Sequence, residues 1–344
     1  MKYEIDREYL TRTLKTVIDV PSPVGYYREL NPVLEELASS LGYTVTYDNR
    51  LTAYIVVEGE SDRTVEIGAH ADTLGLMIRR IDGAGRIFTA PLGGVNYHSL
   101  DGEYMTVHTR DGKAYTGVMM SVSHSVHAFT DARTRARDED NMMILLDKRV
   151  TSAADVRALG IEVGDYVSID PHFTYTEDGF IKSRFIDDKG AVGAVFAALK
   201  YLSDNKLKPK HRTIFAFPYY EEKGLGGTYI PKGVSEHIAI DIGLISPDNT
   251  GDEYSVSICQ KDGAMPYHYD LTSRLIECAK SAGCSYHVDT YRNYSTDAAA
   301  SLRGGNDLAC AVFGMAVYGS HGIERTHIDG LVNTTGLLLE YLLK

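Results

Sequence analysis

Seven side chains stand out by type and placement: His70 and Asp72 in VEIGAHAD, Asp187 in SRFIDDKG, Glu221 and Glu222 in YYEEKG, Asp241 in IAIDIG and His321 in YGSHGIE. Most follow a short apolar run, where a buried strand would end. Two histidines and three carboxylates suffice to hold two divalent ions, and two more carboxylates could manage protons. Such a set serves hydrolysis at a two-metal centre.

Each signal has an ordinary alternative. His70 and Asp72, one residue apart at an extended strand end, point to the same side, so an aspartate could fix a metal-binding histidine ring. HxD is also a common loop tripeptide. Asp187 and Asp188 precede a helix starting near Lys189, where paired acids are plain capping; a bridging carboxylate is equally what two neighbouring cations need. Glu221 and Glu222 repel one another unless solvent or cations compensate. In a site, one would bind metal and the other take a proton from water; otherwise they are two acids on an exposed loop. Asp241 stands among apolar neighbours, where a carboxylate is rarely left unpaired, though backbone N–H groups would satisfy it too. His321 alone reads most simply as structural, and His327, six residues on, fits neither a helical nor a strand pair.

The elements that must position these residues follow from periodicity. Residues 6–19 and 26–41 read as helices, the second with Leu30, Val33, Leu34, Leu37 and Leu41 at helical spacing. VTYDNRLTAYIVVEG alternates like a hairpin, and TVEIGAH is a short buried strand. After residue 180, strands (RTIFAFPYY, HIAIDIGLI, CAVFGMAVYG) alternate with helices, among them an amphipathic KGAVGAVFAALKYLSDN and a closing TTGLLLEYLL. The expected fold class is α/β, a mainly parallel central sheet with helices on both faces. In such sheets functional groups gather beyond the carboxyl ends of strands. Between about 76 and 176 the texture changes to short strands punctuated by glycine turns, which predicts an inserted small β domain. The expected division is a catalytic domain of 1–75 and 177–344 around an insert of 76–176.

The chain has 344 residues, enough for a full core in one large domain or two. Its net charge of −12 argues against nucleic acid as the main partner, since phosphate binding needs clustered Lys and Arg. No run approaches the roughly 20 apolar residues of a membrane helix, and charges interrupt the N-terminal stretch where a signal peptide needs apolar residues. The four cysteines (Cys259, Cys278, Cys284, Cys310) show no CxxC spacing and read as free, buried thiols of a cytoplasmic protein.

Taken in order, AHADTLG, FIDDKGAVG, EEKGLGGT, AIDIG, STDAAA and SHGIERTH resemble the M42 family of metallo-aminopeptidases, the glutamyl and deblocking aminopeptidases and the tetrahedral TET peptidases. The resemblance covers nearly the whole chain, insert included. It implies two divalent ions per chain, zinc or cobalt with manganese as a further option. Asp187 would bridge them, His70 and Asp241 completing one site and Glu222 and His321 the other. Glu221 would be the general base, and Asp72 would orient and polarise His70. Peptides would lose N-terminal residues, and the protein would be a homo-oligomer built from dimers, up to a tetrahedral shell of twelve, with the insert helping assembly. Thr73, Asp188, Lys223 and Gly226 depart from the family's commoner residues, which bears on substrate preference rather than activity. His98, His108, His124 and His127 in the insert, SHSVH included, are expected to be structural or interfacial. Two other readings stay open at this point: a glycoside hydrolase of the endoglucanase type, whose two carboxyls need no metal pair, and a non-enzymatic scaffold on a peptidase fold.

Overall fold

The computed structural model describes residues 1–344, which form two compact units: Met1–Asp72 with His172–Lys344, and Thr73–Pro171. The boundaries fall a few residues before the 76 and 176 expected.

The first unit is built on a mixed, mostly parallel sheet. Along its main path the strands, in chain order, are β1 (Val45–Tyr47), β2 (Ala53–Val57), β3 (Ser61–Gly68), β4 (His211–Phe217), β5 (Val234–Ile240), β6 (Val256–Lys261), β7 (Tyr286–Thr290) and β8 (Ala309–Val317), and a ninth, the two-residue strand Gly243–Leu244, pairs with β8 off this path. Across the sheet they lie in the order β1-β2-β4-β3-β5-β8-β6-β7. The four central strands, β4, β3, β5 and β8, run parallel, while β1 and β2 form the expected antiparallel hairpin at one edge. β6 joins β8 antiparallel and pairs parallel with β7.

Side chains alternate between the two faces. Val65, Ile67, Phe215, Phe217, Ile238, Ile240, Phe313 and Met315 enter one large core, with helices α1 (Arg7–Asp19), α3 (Ile186–Asp204), α4 (Tyr269–Ala282) and α6 (Ile328–Leu343). Their neighbours Ala239, Cys310 and Val312 face the other way, with Ala298 of α5 (Asp297–Arg303). Continued past the strand ends, the alternation sends His70 and Asp241 to this second, more thinly covered face.

Two expectations shift. The helix expected over 26–41 begins as α2 only at Leu30 and runs to Ser40, because the chain turns first at Pro23–Gly25, with Gly25 left-handed at φ 80°. α3 is not amphipathic: it is buried from Ile186 through Leu199 on every side, since α1 and α6 pack over the surface turned away from the sheet. Its small residues permit this; a Cβ at Gly193 would already touch Leu14 of α1 at 3.5 Å. All four cysteines are free and buried. No helix is long and apolar enough to cross a membrane.

The second unit is a closed antiparallel barrel. Strands Gly75–Ile81, Ile87–Leu92, Met142–Leu146, Ala114–Ser121, Tyr104–His108 and Tyr166–Ile169 follow one another around it, the last pairing back with the first. Closure leaves no free sheet edge.

Candidate metal centre

All seven candidates lie in the first unit, just beyond the carboxyl ends of the parallel strands. The β3 ladder outlasts the strand itself: Ala69 donates to the carbonyl of Ala216 (3.0 Å) and Ala71 to that of Pro218 (2.8 Å), while Ser22 Oγ caps Ala71 O (2.7 Å). The backbone on either side of His70 is therefore fixed, and both His70 and Asp72 are buried. Asp241 follows β5 directly. Its N–H donates to Phe313 O (3.1 Å), and β8 passes so close that a Cβ at Gly314 would lie 2.0 Å from Asp241 O.

Asp187 is the hub. It sits at the start of α3, where Asp187 and Asp188 depart from helical φ/ψ, so the two side chains leave the helix in different directions. Asp187 Oδ1 is 3.1 Å from His70 Nε2, and Oδ2 is 3.7 Å from His321 Nε2. His321 Nε2 is also 3.7 Å from Glu222 Oε2, and His70 Nε2 is 3.7 Å from Glu221 Oε2. His70, Asp187 and Glu222 bring single ligand atoms within 4.8 Å of one another, as do His70, Asp188 and Asp241. The structure thus gathers all five ligand-type residues, with Glu221 among them.

Asp72 holds this group differently from a simple His70 partner. Its carboxylate is 3.5 Å from His70 Nδ1, which lies nearer the Asp72 carbonyl (3.0 Å). The shorter contacts of the carboxylate are to the backbone N–H groups of Glu221 (3.1 Å) and Glu222 (3.2 Å). An aspartate accepting two adjacent amides fixes the glutamate pair as well as the histidine.

Three residues without a role in the sequence reading also belong here. Asp188 accepts from the His70 N–H (3.2 Å). Glu324, in the short strand Glu324–His327, accepts from the N–H of Asp187 (2.9 Å) through Oε2 and of His321 (3.4 Å) through Oε1, tying the two together. Asp297 accepts from the Gly227 N–H (2.6 Å). Asp297 and Glu324 stand inside STDAAA and SHGIERTH, but a lone acid in a helix start or a charged run carries no periodic signal, and only the motif order marks it.

The electrostatics describe a site short of positive charge. Burial pushes the carboxyls of Asp188, Glu221, Glu222 and Glu324 well up, and neighbouring carboxylates push them further. Burial, then the nearby Asp187, lifts Asp241 to about 7. Burial would lower His70, but Asp187 and Asp72 outweigh it and hold the imidazole well above its usual range. Burial would raise Asp187, yet His70 and His321 keep it low. Lys189, a buried cation alongside, turns its ammonium to the Val20 carbonyl, and burial brings it down to about 7. Asp188 Oδ1 is buried with no hydrogen-bond partner. This crowd of carboxylates would be costly without cations, and its oxygen and imidazole donors are those that divalent ions take. The residues fit a metal centre.

Residues 52–337 match the sequence model of the M42 glutamyl aminopeptidases. The chain belongs to this family. Among its relatives, the protein named "Putative aminopeptidase YhfE" of Bacillus subtilis (strain 168) is 36% identical over 331 residues, 96% of each chain. The lysyl aminopeptidase of Pyrococcus furiosus is 21% identical over 96% of each. A TET aminopeptidase from a marine-sediment Thaumarchaeota archaeon shares the fold at a TM-score of 0.89 and 18% identity, covering 98% of this chain and 96% of its own. The M42 enzyme is therefore a peptide hydrolase of the aminopeptidase class, and its family implies divalent metal ions. An endoglucanase structure from Thermotoga maritima is also similar (TM-score 0.74, 16% identity, 96% of each chain), a likeness of fold alone. The glycosidase and scaffold readings give way to the family.

Proposed function

We propose that this M42 enzyme removes N-terminal residues from peptides at a centre of two divalent ions. The observation that carries the reading is the division of Asp187: one oxygen faces His70 and the other His321, as a carboxylate shared by two cations would. His70 and Asp241 would complete one site, Glu222 and His321 the other. Zinc or cobalt suits this mixed imidazole and carboxylate set, with manganese as a further option. When bound, the ions would lower the pKa of water and polarise the peptide carbonyl.

The chain's own residues would do the rest. Glu221, half-buried and 3.7 Å from His70 Nε2, would take the proton of the attacking water and deliver it to the leaving amine. Asp72 would keep the His70 ring oriented while its carboxylate steadies Glu221 and Glu222 from behind. A homo-oligomer is the expected working form, since solved relatives include PhTET1-12s, a dodecamer, and the Pyrococcus horikoshii TET1 peptidase, which forms a tetrahedron or an octahedral shell. Four free thiols suit a cytoplasmic setting.

The test is a screen of aminoacyl anilides with enzyme loaded with zinc, cobalt or manganese, repeated on two variants. Glu221→Ala should retain its metal content and lose turnover by about 10² to 10⁴-fold. Asp187→Ala should lose metal measured by elemental analysis. Full turnover in Glu221→Ala would remove it as the base.

A further inference from the structure

The segment carrying Glu221 and Glu222 is exposed in its middle and held at its ends. Glu221–Lys223 forms one 3₁₀ turn and Gly226–Thr228 another, while Lys223 and the intervening Gly224 and Leu225 lie at the surface. Asp72 holds the near end, through the N–H groups of Glu221 and Glu222. At the far end the Gly227 N–H donates to Asp297 Oδ1 at 2.6 Å, and both Gly227 and Asp297 are buried.

The fit at that end is close. A Cβ on Gly226 would stand 2.4 Å from Asp297 Oδ2, and one on Gly227 would stand 2.3 Å from Asp297 O. At Gly226 the Asp297 carboxylate fills the space that a side chain would claim. Asp297 itself stands on a fixed base: Thr296 Oγ1 caps α5 through the Ala298 N–H (3.2 Å) and lies 3.1 Å from the Tyr267 hydroxyl, which donates to Asp262 (2.6 Å). A second tie, Arg50 Nη1 to Leu225 O (3.0 Å) and Thr228 Oγ1 (3.2 Å), comes from a partly exposed side chain.

We infer that Asp297 is a positioning residue: by accepting the Gly227 N–H it anchors the far end of the segment whose near end Asp72 holds, and so fixes where Glu221 stands. Its effect on catalysis rests on Glu221 being the base; its effect on the backbone does not. A carboxylate that works through one accepted hydrogen bond should be replaceable by an amide that keeps the acceptor oxygen. It should not be replaceable by a methyl group.

Asp297→Ala and Asp297→Asn in the full-length enzyme separate these cases. Hydrogen–deuterium exchange across 221–228 should speed up at least about 10-fold in Asp297→Ala and stay near wild type in Asp297→Asn. Turnover of an aminoacyl anilide should fall about 100-fold in Asp297→Ala with KM within about threefold, the signature of a misplaced group rather than lost substrate binding. Asp297→Asn should recover most of that kcat. Unchanged exchange or unchanged kcat in Asp297→Ala overturns the assignment, as does an Asp297→Asn enzyme as impaired as Asp297→Ala. Should Asp297→Ala fail to fold, Gly227→Ala pushes the segment off Asp297 from the other side and should give the same kcat loss with KM kept; wild-type kcat there overturns it too. If Glu221→Ala proves fully active, the base is misassigned, and exchange across 221–228 still decides whether Asp297 is the anchor.

Discussion

At the residue scale, the site is a balance between ligands and the acids that hold them. Asp72 shows how one carboxylate serves both tasks, 3.5 Å from the His70 ring and hydrogen-bonded to two consecutive amides. Removing it leaves those two N–H groups without their acceptor and frees the segment they start. Asp72→Ala should therefore lower kcat by about 100-fold or more while the fold persists. Asp72→Asn, which keeps one acceptor oxygen, should lose less. Steady-state kinetics on both variants, with circular dichroism as the control for folding, checks the order. An Asn variant as weak as the Ala variant would mean that charge beside His70, not backbone anchoring, dominates at this position.

At the element scale, the parallel strands act as a ruler that sets the spacing of the ligands. β5 and β8 approach so closely at Asp241 that Gly314 has no room for a methyl group, whose Cβ would fall 2.0 Å from Asp241 O. Relief requires the strands to part, because the obstacle is backbone rather than a side chain that can turn away. Gly314→Ala should cost about 1–3 kcal/mol in urea unfolding and reduce metal content through displacement of Asp241. Unchanged stability together with unchanged metal content would show that the strands yield at no cost. Gly227 obeys the same logic against the Asp297 backbone carbonyl, whereas at Gly226 the obstacle is the Asp297 carboxylate itself.

At the scale of the whole molecule, the first unit ties its two chain ends into the core beside α4. Glu340 of α6 accepts from Lys2 Nζ, the Tyr3 hydroxyl and Ser281 Oγ of α4, and its side chain is 2% exposed. Burial would raise its pKa, but the hydrogen bonds from Lys2, Ser281 and Tyr3 outweigh it and hold the carboxyl at about 2, against 4.5 when unfolded. A depressed folded value means that this stabilisation is complete above the unfolded pKa and is lost as pH falls from about 4.5 toward 2. The shift corresponds to at most about 3 kcal/mol. Glu340→Gln should lower unfolding free energy at pH 7, and its deficit relative to wild type should narrow by half or more at pH 3. A deficit independent of pH would assign the loss to packing.

Much of this protein was legible in its chain because it depends on local rules. The 3.6- and 2-residue periodicities placed the helices and strands, the glycine turns placed the insert, and the family order of AHAD, FIDD, EEKG, AIDIG and SHGIE picked out the five candidate ligands. What lay beyond it were relations between distant segments. That α3 is buried on every side follows from α1 and α6 lying over it, which its own apolar pattern does not encode. That Glu324 ties Asp187 to His321, and that Asp297 meets Gly227, depends on chain segments 137 and 70 residues apart being brought together. A lone carboxylate has no period; whether it is a surface charge or a support for a site is decided by which backbone amides the fold presents to it.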